Sequence, residues 1–159
     1  MDFALRFAMF ASLVLVGLVA GILLATQLGQ VRVQNTLGAR DFTLVKHDFE
    51  VALGKVMPVL VIAAGISIVA LAFLIYSSGL VRFIVVVFAL LLWAGAIVAT
   101  LLYNAPVNEL AVQWNPDAPP ANWEQLRDQW HRGQTIRTPL ALAAFAAISF
   151  AAVLPSSGR

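Results

Sequence analysis

The chain has 159 residues, of which 61% are hydrophobic and 11% charged. A soluble domain carries roughly 25% charged residues, so an ordinary soluble globule is excluded. Disorder is excluded too, because disordered chains are poor in apolar residues and rich in charge. The formal net charge is only +2, with no basic run or basic–aromatic patch. Nucleic acid is therefore not an expected partner. With no cysteine, disulfides, iron–sulfur clusters and thiol redox chemistry are absent from the list of functions.

The charges leave four long gaps. Between Arg6 and Arg32 lie 25 uncharged positions; Lys55 to Arg82 and Arg82 to Glu109 each leave 26, and Arg137 to Arg159 leaves 21. Crossing a bilayer core takes about 20 apolar residues. The gaps predict membrane helices over about 3–28, 56–76, 80–103 and 139–154. The first run is longer than the roughly 7–15 residues of a signal-peptide core, and its amino end carries no net side-chain charge. It is therefore expected to be a retained membrane helix. The lipid bilayer is the first expected partner, and residues 1–159 form one membrane domain.

Along helix one, Gly17, Gly21 and Ala25 recur every four residues. That spacing lets helices approach closely, and packing within the bundle is the preferred reading over a dimer seam. Ahead of helix two, Phe42, Val45, Phe49, Ala52 and Val56 keep helical spacing, which predicts a helical extension from Asp41. Pro58 is placed to kink it. Ser77-Ser78-Gly79 reads as a tight turn. Thr138 followed by Pro139 fits an N-cap and first-turn proline for helix four. Residues 155–158 read as terminal punctuation.

Four passes put the connections 29–55 and 104–138 on one side. They hold fourteen of the eighteen charged residues and both histidines. Chemistry, if present, is expected there. Seven of the ten Lys and Arg residues lie in them, so the positive-inside rule assigns them to the cytoplasmic face of a cell membrane.

Pro119-Pro120 breaks the chain before a segment in which Asn122 and Gln125 fit a capping box. Trp123, Leu126 and Trp130 then form an apolar stripe. This predicts an amphipathic helix lying at the interface before helix four. Its polar edge carries Glu124, Asp128 and His131. In the first connection, His47 and Glu50 share a face. Two such pairs could hold a metal, the candidates being His47, Glu50, Asp128 and His131; solvated helix faces produce the same pattern. The sequence names no cofactor. His47 and His131 are candidate bases near neutral pH. Arg137 can pair with an acid, bind an anion or anchor its helix by snorkelling. Asn104-Ala105-Pro106-Val107-Asn108 reads as a stiff turn. Its two amides could hold a ligand oxygen or simply cap helix ends.

Thr100, Asn104-Ala105-Pro106-Val107-Asn108, Trp114, Pro120, Trp123, Trp130 and Ile136-Arg137-Thr138 occur in that order, with Met57-Pro58 upstream. This series resembles the anthrone oxygenase-like family of small four-helix membrane proteins. The resemblance implies oxidation of an anthrone to an anthraquinone by dioxygen, with an apolar aromatic substrate. The family pattern places a histidine four residues after the tryptophan; here that position is Gln134, and His131 lies three residues earlier. By this likeness His47, His131 and Arg137 become candidate catalytic residues. Asn104, Asn108, Trp123, Trp130 and Gln134 become candidate substrate contacts. The expected architecture is an all-α integral membrane four-helix bundle. One competing reading is a non-catalytic structural or accessory membrane subunit, working with a protein partner or as a homo-oligomer. A second is a transporter or lipid-binding module, weakened because no membrane helix carries a mid-depth charge.

Overall fold

A computed structural model describes residues 3–155. Met1, Asp2 and residues 156–159, including most of the terminal punctuation, lie outside the described residues. Within them the chain is helical with no strand, and four helices are long and apolar enough to cross a membrane. The first is α1 (Phe3–Ala25), which continues through a π-helical stretch Thr26–Gln30 into α2 (Val31–Gln34). A separate helix α3 (Ala39–Leu53) follows, then α4 (Val56–Ile75). Then come α5 (Leu80–Ala99), a second π-helical stretch Thr100–Asn104 and α6 (Ala105–Ala111), and last α7 (Trp123–Val153).

The membrane helices pack as a ring, α1 against α4, α4 against α5, α5 against α7 and α7 against α1. Small residues line the seam: Ala20, Ala64, Ala89, Ala141 and Ala144 are buried beside Val16, Ile68, Leu71 and Val86. The outward positions carry Phe7, Phe10, Phe73, Phe88 and Leu91, all exposed. An apolar exterior around an apolar core is what a bilayer permits and water does not. Gly17 packs on the Phe145 ring, as close packing requires, whereas Gly21 meets nothing nearby. The small-residue seam is thus only partly internal.

Between α4 and α5 the chain turns in one 3₁₀ turn, Tyr76–Ser78, and then Gly79. Gly79 has φ 130°, which a side chain would strain. Just beyond it, Arg82 is buried and its Nε donates to the Ala151 carbonyl at 3.2 Å, near the end of α7. The guanidinium satisfies a terminal carbonyl that a helix end would otherwise leave unpaired.

Three spans overhang the membrane. Phe3–Gln34 and Leu80–Ala111 have 32 residues each and Trp123–Val153 has 31. At about 1.5 Å per residue they run well past a core of about 30 Å. The bond from Arg82 to Ala151 sets the start of α5 beside the end of α7, and Gln34 lies 2.9 Å from His131 near the opposite end of α7, so the excess of all three collects at that other end. There α3 sits against α4, α6 and α7, completing a short polar assembly on top of the bundle.

Several local expectations change. The segment read as an interfacial helix and the last membrane helix are one uninterrupted α7, with Pro139 inside it. Proline removes one hydrogen bond, to the Thr135 carbonyl, and its ring is exposed. Neighbouring helices hold such an interruption in register. Thr138 is therefore not an N-cap; it is buried, and its hydroxyl faces the Leu23 carbonyl at 3.5 Å. Asn122 stands at the N-cap but makes no side-chain capping bond, so the capping box with Gln125 does not form. The Asn104–Asn108 segment is not a turn. Widening to the π form lets Ala105 N–H bond the Thr100 carbonyl five residues back, and Pro106 then falls in the first turn of α6. The helix thereby passes a proline without a break. Finally, α3 does not run on into α4. Gly54 and Lys55 separate them, which puts Pro58 at the third position of α4, where its missing N–H has no partner to lose.

Candidate active site

On α3, the buried positions Phe42, Thr43 and Lys46 face the bundle, with Glu50 one turn further on. Lys46 is fully buried. Its Nζ lies 2.5 Å from Glu50 Oε1 and 2.8 Å from Asn108 Oδ1, and 4.2 Å above the Trp130 ring. Asn108 Oδ1 also accepts from Trp130 Nε1 at 2.8 Å. One carbonyl oxygen thus ties α3, α6 and α7 together, and it leaves the Asn108 NH₂ as the group able to donate to a ligand.

Arg137 approaches the same ring from α7, its guanidinium 5.8 Å from the Trp130 centroid. Its Nε donates to Gln134 Oε1 at 2.8 Å, and Nη1 to Thr100 Oγ1 at 3.4 Å. Gln134 is fully buried and donates in turn to the Leu23 carbonyl at 2.8 Å and to Thr138 Oγ1 at 3.1 Å. An amide is suited to that position, because it accepts from the arginine while donating to helix one.

Asn104 is buried against α7. Its Nδ2 donates to the Trp130 carbonyl at 2.9 Å. Gly133 faces it so closely that a Cβ there would lie 2.6 Å from Tyr103 Cβ and collide with the Asn104 amide oxygen. Asn104 therefore fixes the height of α7, and through it Trp130 and Arg137, rather than lining the Lys46 cluster. Trp123 packs at a tilt against Phe42, one helical turn before Lys46, with ring centroids 5.6 Å apart. Phe42 also meets Trp114 at 6.0 Å. These rings seat α3 on the bundle.

The histidines lie elsewhere. His47 Nδ1 is 3.1 Å from the exposed carboxylate of its neighbour Asp48. His131 is half-buried, and its Nε2 is 2.9 Å from Gln34 Oε1 of helix one. Asp128 is exposed and pairs with Arg127. Among the described residues, no three His, Asp or Glu side chains come together in a way that could hold a metal ion. The four metal candidates are thus distributed over separate surroundings.

The cluster's electrostatics follow from burial. Desolvation pushes the Lys46 ammonium from its ordinary 10.5 down to about 8. The charge of Glu50 and its hydrogen bond oppose the shift, and the charge of Arg137 adds to it. One carboxylate faces two cationic side chains in a place of low dielectric constant. Such a site favours an additional negative charge, or the loss of the lysine proton.

Sequence alone assigns no role to Lys46 or Thr100, although Thr100 belongs to the motif series. The missed signal is spacing. Phe42, Lys46 and Glu50 recur every four residues, a stripe that turns with the buried Phe42 face, whereas the stripe through Val45 and Phe49 is the half-exposed one.

A family model described as anthrone oxygenase matches residues 46–147. The chain belongs to the anthrone oxygenase family. The matched stretch of this anthrone oxygenase family member begins at Lys46 and includes Glu50, Thr100, Asn108, Trp130, Gln134 and Arg137. Every side chain of the cluster therefore lies inside it, and the first membrane helix lies outside. No curated protein and no solved structure matches the chain.

Proposed function

We propose that this protein is a membrane-embedded oxygenase that converts a lipid-soluble anthrone-type ring ketone to the quinone with dioxygen, using Lys46 as the base. The observation that carries this reading is a fully buried lysine, its proton affinity lowered, held beside Arg137 and Asn108 with one carboxylate among two cations.

The chemistry asks for three things. A base removes a proton from the methylene opposite the ketone. Donors stabilise the oxyanion that forms as the electrons move onto the ring oxygen. A dry surface holds the rings. The free amine of Lys46 takes the proton. The remaining guanidinium N–H groups of Arg137 and the Asn108 NH₂ face the developing oxyanion. The carbanion form then gives electrons to dioxygen and bonds to it, and the peroxide takes the proton back from the Lys46 ammonium. Loss of the second methylene proton with cleavage of the O–O bond yields the new carbonyl and water. Anthrone and one dioxygen become anthraquinone and one water, so atoms and electrons balance.

A base works best when its pKa lies near the working pH, and lysines tuned down to about 7–8 meet that condition. The expected pH profile follows. After subtraction of the rate in empty nanodiscs, anthrone consumption rises roughly tenfold per pH unit below the Lys46 value of about 8 and levels off above it. The rise reflects the growing share of free amine. A plateau already reached by about pH 7 would contradict Lys46 as the base. An accessory subunit would give no rate above empty nanodiscs at any pH.

A further inference from the structure

A second feature lies beside the cluster, where helix one overhangs the membrane. A cleft of about 370 Å³ runs between the end of helix one and α3, with walls from Thr26, Gly29, Val33 and Gln34 on one side and Val45 and Phe49 on the other. Its lining is apolar apart from hydroxyl and amide groups, and its volume is in the range of small-molecule sites, about 300–1,000 Å³. Gly29 leaves open space in its wall, with nothing within 4 Å of where a Cβ would stand.

Gln34 is the unusual residue of this lining. It is fully buried. Its oxygen lies 2.9 Å from His131 Nε2, whereas its Nε2 finds no partner among the described residues. A buried amide with unused N–H groups is uncommon in a folded protein. The chain gives Gln34 an acceptor role toward His131 and keeps two donors unassigned. What those donors match is an acceptor oxygen on an otherwise apolar molecule. On the other wall, Val45 and Phe49 each precede a member of the polar cluster, Lys46 and Glu50.

We infer that this cleft receives the ring ketone from the membrane, with the Gln34 amide donating to one of its carbonyl oxygens and Val45 and Phe49 covering the rings. The inference rests on the oxygenase reading for its choice of ligand, and it adds the site at which that ligand is recognised. It places substrate recognition partly outside residues 46–147, on helix one.

The test is a binding experiment without turnover. Protein in nanodiscs is titrated with 9,10-anthraquinone and, in parallel, with anthracene, which has the same three-ring outline and no oxygen. Each is corrected for partition into empty nanodiscs. Wild type is expected to bind anthraquinone saturably and more tightly than anthracene. Gln34→Met removes the amide, and Gln34→Glu keeps the oxygens that face His131 while removing both N–H groups. Both are expected to weaken anthraquinone by about five- to tenfold, the value of one hydrogen bond, and to leave anthracene unchanged. Gly29→Leu narrows the cleft without touching the Lys46 cluster, and is expected to weaken both ligands. Thermal unfolding of each variant separates lost binding from lost fold. Anthraquinone binding by Gln34→Met, Gln34→Glu and Gly29→Leu equal to wild type overturns the inference. If those variants also retain pH-dependent turnover, the Lys46 reading survives and the cleft alone fails. No saturable anthraquinone binding by wild type overturns the cleft as a ring-ketone site, while turnover of anthrone still decides the oxygenase reading.

Discussion

Lys46→Met is expected to slow aerobic anthrone consumption by about 10²- to 10⁴-fold, the range a positioned general base supplies. Methionine keeps the length and apolar stem of lysine, so the stacking space over Trp130 stays filled. What disappears is the proton acceptor and the bond to Asn108. Glu50 is left without its partner, but its side chain keeps 12% exposure and can reach water. The fold should therefore survive, which circular dichroism and thermal unfolding check. Lys46→Arg sharpens the experiment. Arginine holds the ion pair with Glu50 yet stays protonated at any working pH. If Lys46 is the base, the arginine variant is as slow as the methionine one. If Lys46 only positions α3, arginine restores most of the rate. Oxygen uptake and quinone absorbance, read together, measure both variants.

Gly133→Ala is expected to destabilise the protein by about 1–3 kcal/mol, as overpacking does in a filled interior. At most helix positions the same change is favourable, because glycine in a helix interior costs about 0.5–1 kcal/mol relative to alanine. Here the new methyl would meet Tyr103 Cβ at 2.6 Å and the Asn104 amide. Neither neighbour can easily yield. Asn104 is buried and bonded to the Trp130 carbonyl, and Tyr103 sits in the π-helical stretch that carries the chain past Pro106. Displacing α7 would also move Trp130, Gln134 and Arg137, so turnover should fall with stability. Gly95→Ala is the control. A Cβ there meets only the end of the Leu140 side chain at 3.4 Å, which can rotate aside. Thermal unfolding in detergent should separate the two variants clearly. Equal midpoints for both would mean that α7 does not depend on the close contact with Asn104.

The charge gaps were sufficient for the membrane helices, because a bilayer tolerates few charges and demands a minimum length. Helix ends were less legible. Pro139 and Pro106 look like stops when read alone. Packing against neighbouring helices, and one π-helical widening, carry the chain through both. The side chains of the candidate site were legible in part. Asn108, Trp130, Gln134 and Arg137 stood out by motif and are gathered at one place. Asn104 and Trp123 also stood out, and they hold α7 and α3 in position. The histidines drew attention because imidazole titrates near neutrality. Lys46 does not advertise itself in that way. Its altered proton affinity comes from tertiary burial, and burial depends on which face of α3 turns inward. That face is decided by Phe42 docking between Trp114 and Trp123, a contact across more than seventy residues of chain.

Proton removal can be separated from the oxygen steps. Without dioxygen the oxidation cannot proceed, but a base can still exchange the methylene hydrogens of anthrone with solvent. Anthrone would be incubated anaerobically in deuterated buffer at pH 8 with wild type, Lys46→Met or empty nanodiscs, and deuterium at the methylene followed by mass spectrometry. Wild type is predicted to exchange faster than empty nanodiscs, and Lys46→Met to return to their rate. Exchange by wild type no faster than in empty nanodiscs, or fully retained by Lys46→Met, would contradict Lys46 as the base.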